Sequence, residues 1–336
     1  MLLLAFLLAA QAAQDDPEKL YGDWVVACDN LHRCEMTSLL PGDQAIPEEG
    51  SDYDATMSVI REAGPAGGLT VEVWPADKLS GSATLRIDDV AIATAPAGDE
   101  GVTFKGADAA RIAAAMPNGK ALALVGGDGK VAARISLAGS SASLRHIDAD
   151  QGRAGTVTAL VAKGTRPASA VPGARAPEQI VGLRSSGTPA VVSKTMRAGM
   201  EKLSECGGLY DGAESVPEVE TFALGGGKTL ALLPCGSGAY NFSSVAFIIA
   251  GGKAVPAPFD QNVSMSEVTD SGLTNASWDE GVLSSHSKGR GVGDCGAGAR
   301  YVWDGNRFRA IEMTLMRECR GSTNWLTTYR ATAVFR

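Results

Sequence analysis

Three pairs of cysteines that lie close together in the sequence place the strongest constraint on how this chain can fold. They are Cys28 with Cys34, Cys206 with Cys235, and Cys295 with Cys319. Six cysteines allow many connectivities, but the first pair flanks a turn at 29–31 and the third brackets a hairpin turn at 304–305. Zinc ligation is the competing interpretation, and the sequence lacks the C-x2-C spacing and histidine support of zinc sites. The pattern therefore favours three disulfides between sequence neighbours.

Disulfides persist in oxidising compartments, and the N-terminus of the chain is consistent with export. Residues 1–10 form an apolar run, which is followed by the small residues Ala12 and Ala13 and then by Asp15 and Asp16. This arrangement is typical of a signal peptide, and the run is shorter than the roughly 20 apolar residues of a membrane-spanning helix. No Lys or Arg precedes the run, and a buried N-terminal helix is the alternative. We expect a periplasmic or secreted protein with a signal peptide at 1–13.

A change in composition near residue 170 indicates two domains, which the length of 336 residues also favours. Three prolines, at 167, 172 and 177, stand among small residues and predict a semi-extended linker. The charge changes at the same place, because residues 14–165 carry 22 acidic and 13 basic side chains whereas 166–336 carry 16 and 17. We predict an N-terminal β domain at 14–165, a Pro/Ala-rich linker at 166–178 and a C-terminal β domain at 179–336.

Alternating apolar and polar residues predict strands through most of the chain. Residues 69–73 and 131–137 each have a period of two, and a glycine-rich turn makes 122–137 a predicted hairpin. Helices are predicted at 109–116 after an Asp108 cap, at 141–150 and at 194–204. Strands of the second half are predicted at 220–224, 228–233, 245–249, 299–303, 308–315 and 325–335. A shift in the apolar alternation between Phe308 and Ile311 predicts a bulge in the strand at 308–315. The predicted fold class is mostly β, with two antiparallel sheet domains, sandwich or barrel-like, and a few short helices.

No local motif of this sequence predicts a chemistry. Residues 225–229 (GGGKT) resemble the end of a P-loop, but Phe222 occupies the place of its leading glycine, and a hairpin turn is favoured. Residues 288–294 alternate glycine with basic residues and form either a flexible connection or an anion-binding loop. His32, His146 and His286 lie outside any zinc or nucleophile–base motif. The sequence predicts no catalytic residue, no metal site and no cofactor, and it favours a binding protein over an enzyme.

The C-terminal end is basic although the protein is acidic, since the last 56 residues hold nine basic and four acidic side chains. Arginine and aromatic side chains are enriched where interfaces gain their energy. The candidate binding surface comprises Lys288, Arg290, Arg300, Tyr301, Trp303, Arg320 and Trp325. The alternative is that Trp303 and Trp325 are core residues and that the basic groups offset the acidic first domain. The expected partner is an anionic envelope polymer or protein, because a net charge of −8 disfavours nucleic acid.

Several motifs of the second half resemble a known family. They are 288–296 (KGRGVGDCG), 301–305 (YVWDG), 318–321 (ECRG) and 325–330 (WLTTYR). Together they resemble the proteobacterial domain-of-unknown-function family 1176, and the resemblance covers essentially the whole mature chain. The first half, with Gly22-Asp23-Trp24, Cys28 and Cys34, is weakly similar to the invasion-associated locus B family. These resemblances imply an exported, periplasmic protein and add no catalytic residue.

Two functions from different classes therefore stay open. The favoured function is a non-catalytic envelope protein that binds another macromolecule or a cell-wall polymer. The alternative is a hydrolase or a hydrolase inhibitor that acts on envelope polysaccharide, since Ala299-Arg300-Tyr301 resembles exposed loops of lysozyme inhibitors. Carboxylates that converge in a deep cleft would favour the enzyme, whereas a flat basic and aromatic patch would favour binding.

Overall fold

The computed structural model describes residues 17–42, 55–99, 101–210, 215–262 and 271–336. Most of the regular structure in these residues is β-strand, joined by turns and a few short helices, so the predicted fold class is confirmed. The predicted signal peptide at 1–13 lies outside the described residues. Among the helices that are described, none has the length and apolar character needed to cross a bilayer.

The described residues of the first half form strands and two α-helices. In chain order these are β1 (Glu18–Tyr21), β2 (Trp24–Cys28), β3 (Cys34–Ser38), β4 (Ala55–Arg61), β5 (Leu69–Pro75), β6 (Ser82–Ile87), β7 (Val90–Gly98), β8 (Gly101–Lys105), α1 (Gly106–Ala115), a 3-10 turn (Met116–Asn118), β9 (Ala121–Gly126), β10 (Val131–Ser136) and α2 (Ser140–Asp150).

The strands of the first half build one 10-stranded sheet in the order β1-β2-β3-β4-β5-β8-β7-β6-β9-β10. The sheet folds back on itself, since the Trp24 indole on β2 donates to the Ser136 carbonyl on β10 at 2.9 Å. Alternate side chains of the strands fill the enclosed space, and Ile112 of α1 and Leu144 of α2 complete this core. The first half therefore has one hydrophobic core of its own.

The hairpin and helices observed in the first half agree closely with those predicted from the sequence, with one correction. The hairpin predicted at 122–137 is confirmed as β9 and β10, and α2 begins one residue before its predicted start. α1 begins at Gly106, so the predicted Asp108 cap is wrong. Gly106 turns the chain out of β8 with a φ of +58°, and Asp108 lies in the first helical turn, where it pairs with Arg111.

The second half begins with a short 3-10 turn at Ala168–Ala170 in the predicted linker. Its further elements are β11 (Gln179–Gly182), α3 (Lys194–Ser204), β12 (Glu220–Gly225), β13 (Lys228–Ser237), β14 (Phe242–Ala250), β15 (Lys253–Pro256), β16 (Gly272–Thr274), β17 (Ser277–Asp279), β18 (Val282–Lys288), β19 (Gly296–Trp303), β20 (Phe308–Met316), β21 (Leu326–Arg330) and β22 (Thr332–Phe335).

Two antiparallel sheets pack face to face in the second half. Sheet C1 has the order β12-β13-β14-β15 with β16 beside β14, and sheet C2 has the order β17-β18-β19-β20-β21. Leu230 and Ile248 of sheet C1 share a core with Leu283 and Met313 of sheet C2. α3 covers the opposite face of sheet C1 through Met200. The described residues of the second half therefore form a β-sandwich with one α-helix on its outside.

A parallel ribbon of β11 and β22 covers one end of the outer face of sheet C2. Ile180 of the ribbon packs there with Val302 and Ile311. The pairing of β19 with β20 shifts opposite this point and leaves Ile311 as an extra residue, so the predicted bulge is confirmed. The prediction of one continuous strand at 325–335 is wrong. Ala331 donates its N–H to the carbonyl of the bulged Ile311, and the chain then leaves sheet C2 to pair with β11.

All three predicted disulfides are formed, and no cysteine is free. Cys28 and Cys34 are directly paired across the β2–β3 hairpin. Cys206–Cys235 ties the chain after α3 to β13, and Cys295–Cys319 closes the β19–β20 hairpin. Each cross-link contributes about 2–4 kcal/mol by restricting the unfolded chain. Three structural disulfides indicate a protein that folds in an oxidising compartment outside the cytoplasm.

The two halves meet along a seam between β2 and β3 on one side and β21 with its preceding loop on the other. A small apolar cluster lies in the seam, in which Val25 and Leu39 pack with Met316 and Leu326. Polar contacts surround it, and Asn324 donates to the Glu35 carboxylate at 2.7 Å. The seam therefore combines a modest hydrophobic contact with charged and polar groups.

The predicted linker between the halves is open to a direct test. Residues 172–178 are exposed along their whole length. We expect limited proteolysis to cut first between about Thr165 and Gln179, because nicking concentrates in exposed segments of small and polar residues. Mass spectrometry of the earliest fragments identifies the cleavage site. Early cuts inside either half, with the linker intact, would contradict the domain boundary.

Candidate binding surface

Two of the candidate surface residues are buried. Tyr301 and Trp303 point from β19 into the core between sheets C1 and C2, where their exposed fractions are 0% and 1%. The Tyr301 hydroxyl donates to the Asn262 side chain at 3.1 Å, and the Lys228 ammonium lies 5.4 Å from the Trp303 ring centre. The prediction that these two aromatic residues contact a partner is therefore wrong, because the alternation of β19 directs them inward.

Arg290 is engaged within its own loop. It donates to the Asp294 carboxylate at 2.7 Å and to the Cys319 carbonyl at 2.5 Å. Burial raises the pKa of Asp294, but hydrogen bonds from Arg290 and from the Gly321 N–H outweigh this effect and hold the pKa below its ordinary value. Arg290 therefore fixes the loop next to the Cys295–Cys319 disulfide rather than presenting a free charge.

Arginines of the second half also neutralise acids of the first half across the seam. Arg320 pairs with Asp23 at 2.6 Å and donates to the Gly22 carbonyl at 2.9 Å. Arg330 pairs with Asp29 at 2.5 Å. Some of the excess basic residues near the C-terminus thus connect the two halves. This agrees with the alternative interpretation, in which the basic groups offset the acidic first domain.

Lys288, Arg300 and Trp325 lie at the outer face of sheet C2, which is only partly covered. The ribbon covers one end of this face and Trp325 the other. Between them is a band of residues that are exposed or half-buried, and we call it the open band. Its members are Ser284, Arg300, Glu312 and Arg330 in one row, His286, Gly298, Thr314 and Thr327 in the next, and Lys288 at the edge beyond His286.

Arg300 and Glu312 of the open band are only loosely paired. The Arg300 guanidinium lies 3.6 Å from the Glu312 carboxylate, and their side chains are 50% and 42% exposed. Lys288 follows His286 on the same face of β18, and it has no ion pair among the described residues. These two cations are therefore the candidate surface charges that a ligand could reach.

An aromatic pair borders the open band. The His286 ring lies parallel to the Trp325 ring, with 4.3 Å between centres and 9° between planes. Two contacts hold Trp325 in place. Its indole N–H donates to the Gly293 carbonyl at 3.1 Å. Its ring also lies close over Gly296, so that a Cβ atom added to Gly296 would be 2.3 Å from the ring. Burial lowers the pKa of His286, and Lys288 lowers it further, so the imidazole is neutral at neutral pH.

His286, Glu312 and Thr314 are not among the residues that the sequence predicts for the binding surface. One signal was available, because Ser284, His286 and Lys288 are spaced by two residues and share one face of a strand. Glu312 and Thr314 lie far from them in the sequence and join the band only through the pairing of β19 with β20. That pairing is a long-range property, which a local pattern does not reveal.

The other motifs have structural roles. Residues 225–229 form the β12–β13 turn, with Gly226 and Gly227 at positive φ, so the predicted hairpin turn is confirmed. Cys28, Cys34 and Asp150 bring three metal-ligand atoms within 4.8 Å of one another. The two sulfur atoms are joined in a disulfide and are not available as thiolate ligands.

Comparisons with known proteins agree with this description. Residues 18–332 match the family model described as a protein of unknown function, DUF1176. The chain belongs to this family. Uncharacterized protein YpfG of Escherichia coli (strain K12) is 28% identical over 332 residues, which cover 92% of this chain and 89% of YpfG. The crystal structure of invasion associated protein B from Bartonella henselae matches with 21% identity and a TM-score of 0.31, covering 40% of this chain and 98% of that one. The resemblance to family 1176 that was inferred from the sequence is thus confirmed.

Proposed function

We propose that this DUF1176 protein is an exported, non-catalytic envelope protein that binds an anionic polymer at the open band. The observation that carries the proposal is the juxtaposition of two accessible cations, Lys288 and Arg300, with the stacked His286–Trp325 pair on an uncovered sheet face. Three disulfides support a location outside the cytoplasm, where such polymers occur.

A polysaccharide hydrolase has less support. Glycoside hydrolysis generally uses two carboxyl groups that flank the scissile bond, whereas Glu312 is the single carboxylate among the residues that define the open band. The triplet 299–301, which suggested an exposed inhibitor loop, lies in the middle of β19 with Ala299 and Tyr301 buried. A flat band with one acid is better suited to binding than to bond cleavage.

Salt and charge removal test the proposed binding. We expect the disulfide-bonded protein to be retained on immobilised dextran sulfate at 0.1 M salt and to be released toward 1 M, as the Debye length falls from about 10 Å to about 3 Å. Replacing Lys288 and Arg300 together with alanine should weaken the affinity about two- to thirtyfold, because the two exposed charge contacts that are lost contribute roughly 0.2–1 kcal/mol each.

The matched control replaces Lys253 and Arg307 with alanine, since these exposed cations lie outside the open band. It removes the same net charge and should leave the affinity nearly unchanged. An affinity that responds neither to salt nor to the Lys288/Arg300 double substitution would exclude the open band as the site.

A further inference from the structure

We infer that the ligand of the open band is a polysaccharide that contains acidic sugars, and that the exposed His286 ring, backed by Trp325, is the platform for one sugar ring. This inference rests on the proposed function and names the chemical class of its ligand. It depends on three features of the band: the aromatic pair, the mixed charges beside it, and the position of Lys288.

The first feature is a rigid, accessible aromatic surface. Trp325 covers one face of the His286 ring at 4.3 Å, yet His286 is exposed, so the free surface consists of the other face and the ring edge. Gly298 pairs with His286 across the strands and carries no side chain that could cover it. Pyranose rings present an apolar C–H face, which packs on flat aromatic rings, while their hydroxyls need polar partners at the edge.

The second feature is a donor next to an acceptor. Arg300 presents N–H groups, Glu312 presents carboxylate oxygens 3.6 Å away, and both are half exposed. Neighbouring sugar hydroxyls both donate and accept hydrogen bonds, so they match this pair. A polyphosphate chain accepts only and would be repelled by Glu312. The mixed pair therefore distinguishes a polysaccharide from a phosphate polymer.

The third feature is a separate cation for an acidic substituent. Lys288 follows His286 by two residues on the same face of β18, which places their Cα atoms roughly 7 Å apart. Lys288 has no ion-pair partner in the described part of the chain, so its charge is available to a carboxylate. The neutral His286 ring contributes stacking surface rather than a second charge.

Calorimetric titration of the full, disulfide-bonded chain with three probes tests the inference. The probes are an oligogalacturonate, the same oligosaccharide with its carboxyl groups reduced to alcohols, and a polyphosphate of equal charge. We expect the oligogalacturonate to bind most tightly. His286→Ala should weaken the binding of both oligosaccharides about two- to tenfold, the range that aromatic contacts provide, and His286→Phe should retain it. Lys288→Gln should weaken only the acidic oligosaccharide.

His146→Ala is the matched control, because it removes a half-buried histidine from the first half of the chain. Thermal unfolding verifies that each variant is folded. If polyphosphate binds as tightly as oligogalacturonate and His286→Ala changes neither affinity, the polysaccharide inference is overturned while polyanion binding stands. If no anionic probe binds, the proposed function fails together with the inference.

Discussion

Replacing Gly139 with alanine is expected to lower the free energy of unfolding by about 2–5 kcal/mol. Gly139 has a φ of +95°, and a Cβ atom there would lie 1.7 Å from the Tyr21 carbonyl oxygen. The substitution costs about 1–2 kcal/mol for the left-handed backbone and about 1–3 kcal/mol for forcing apart the β1–β2 turn and the start of α2. Urea unfolding followed by tryptophan fluorescence measures the loss.

Gly129→Ala separates the two contributions. Gly129 has a similar φ of +81°, but a Cβ atom there meets no other atom within 4 Å. It should therefore lose only about 1–2 kcal/mol, the cost of the backbone conformation. Equal losses from the two variants would show that the close approach of Gly139 to Tyr21 does not matter for stability.

Features that depend on residues near each other in the sequence could be predicted. The hairpin at 122–137 and the Cys28–Cys34 bridge are local, and α3 has the bounds predicted for it. Turn glycines and period-two alternation act over a few residues, so they are visible without the fold. The break of the last strand at Ala331 was not predicted, because it depends on the bulged Ile311 of another strand.

The candidate site was only partly predictable, for a reason particular to sheet C2. Alternation shows that Arg300 and Val302 share one face of β19 and that Tyr301 and Trp303 share the other. It does not show which face is the core, because both faces of this strand carry apolar residues. Trp303 is covered by sheet C1, and Val302 is covered by the ribbon.

The seam could not be predicted from local sequence patterns, because the residues that contact each other across it are almost the whole chain apart. Arg320 contacts Asp23, and Arg330 contacts Asp29, at separations of 297 and 301 residues. The charge step between the halves was the only sequence signal, and it fits charges that meet across an interface. Arg330 belongs to both the seam and the open band, so the loop that carries Asp29 lies beside the proposed ligand site.

Replacing Arg320 with methionine is expected to lower the free energy of unfolding by about 2–4 kcal/mol and to speed cleavage of the linker. The Arg320 and Asp23 side chains are only 19% and 13% exposed, and the substitution would leave the Gly22 and Leu40 carbonyls without this donor. Urea unfolding and the rate of proteolysis measure the two effects. Lys78→Met is the control, because its 3.7 Å pair with Asp99 is almost fully exposed and contributes less than about 0.5 kcal/mol. Similar losses from both variants would mean that the Arg320 ion pair does not hold the halves together.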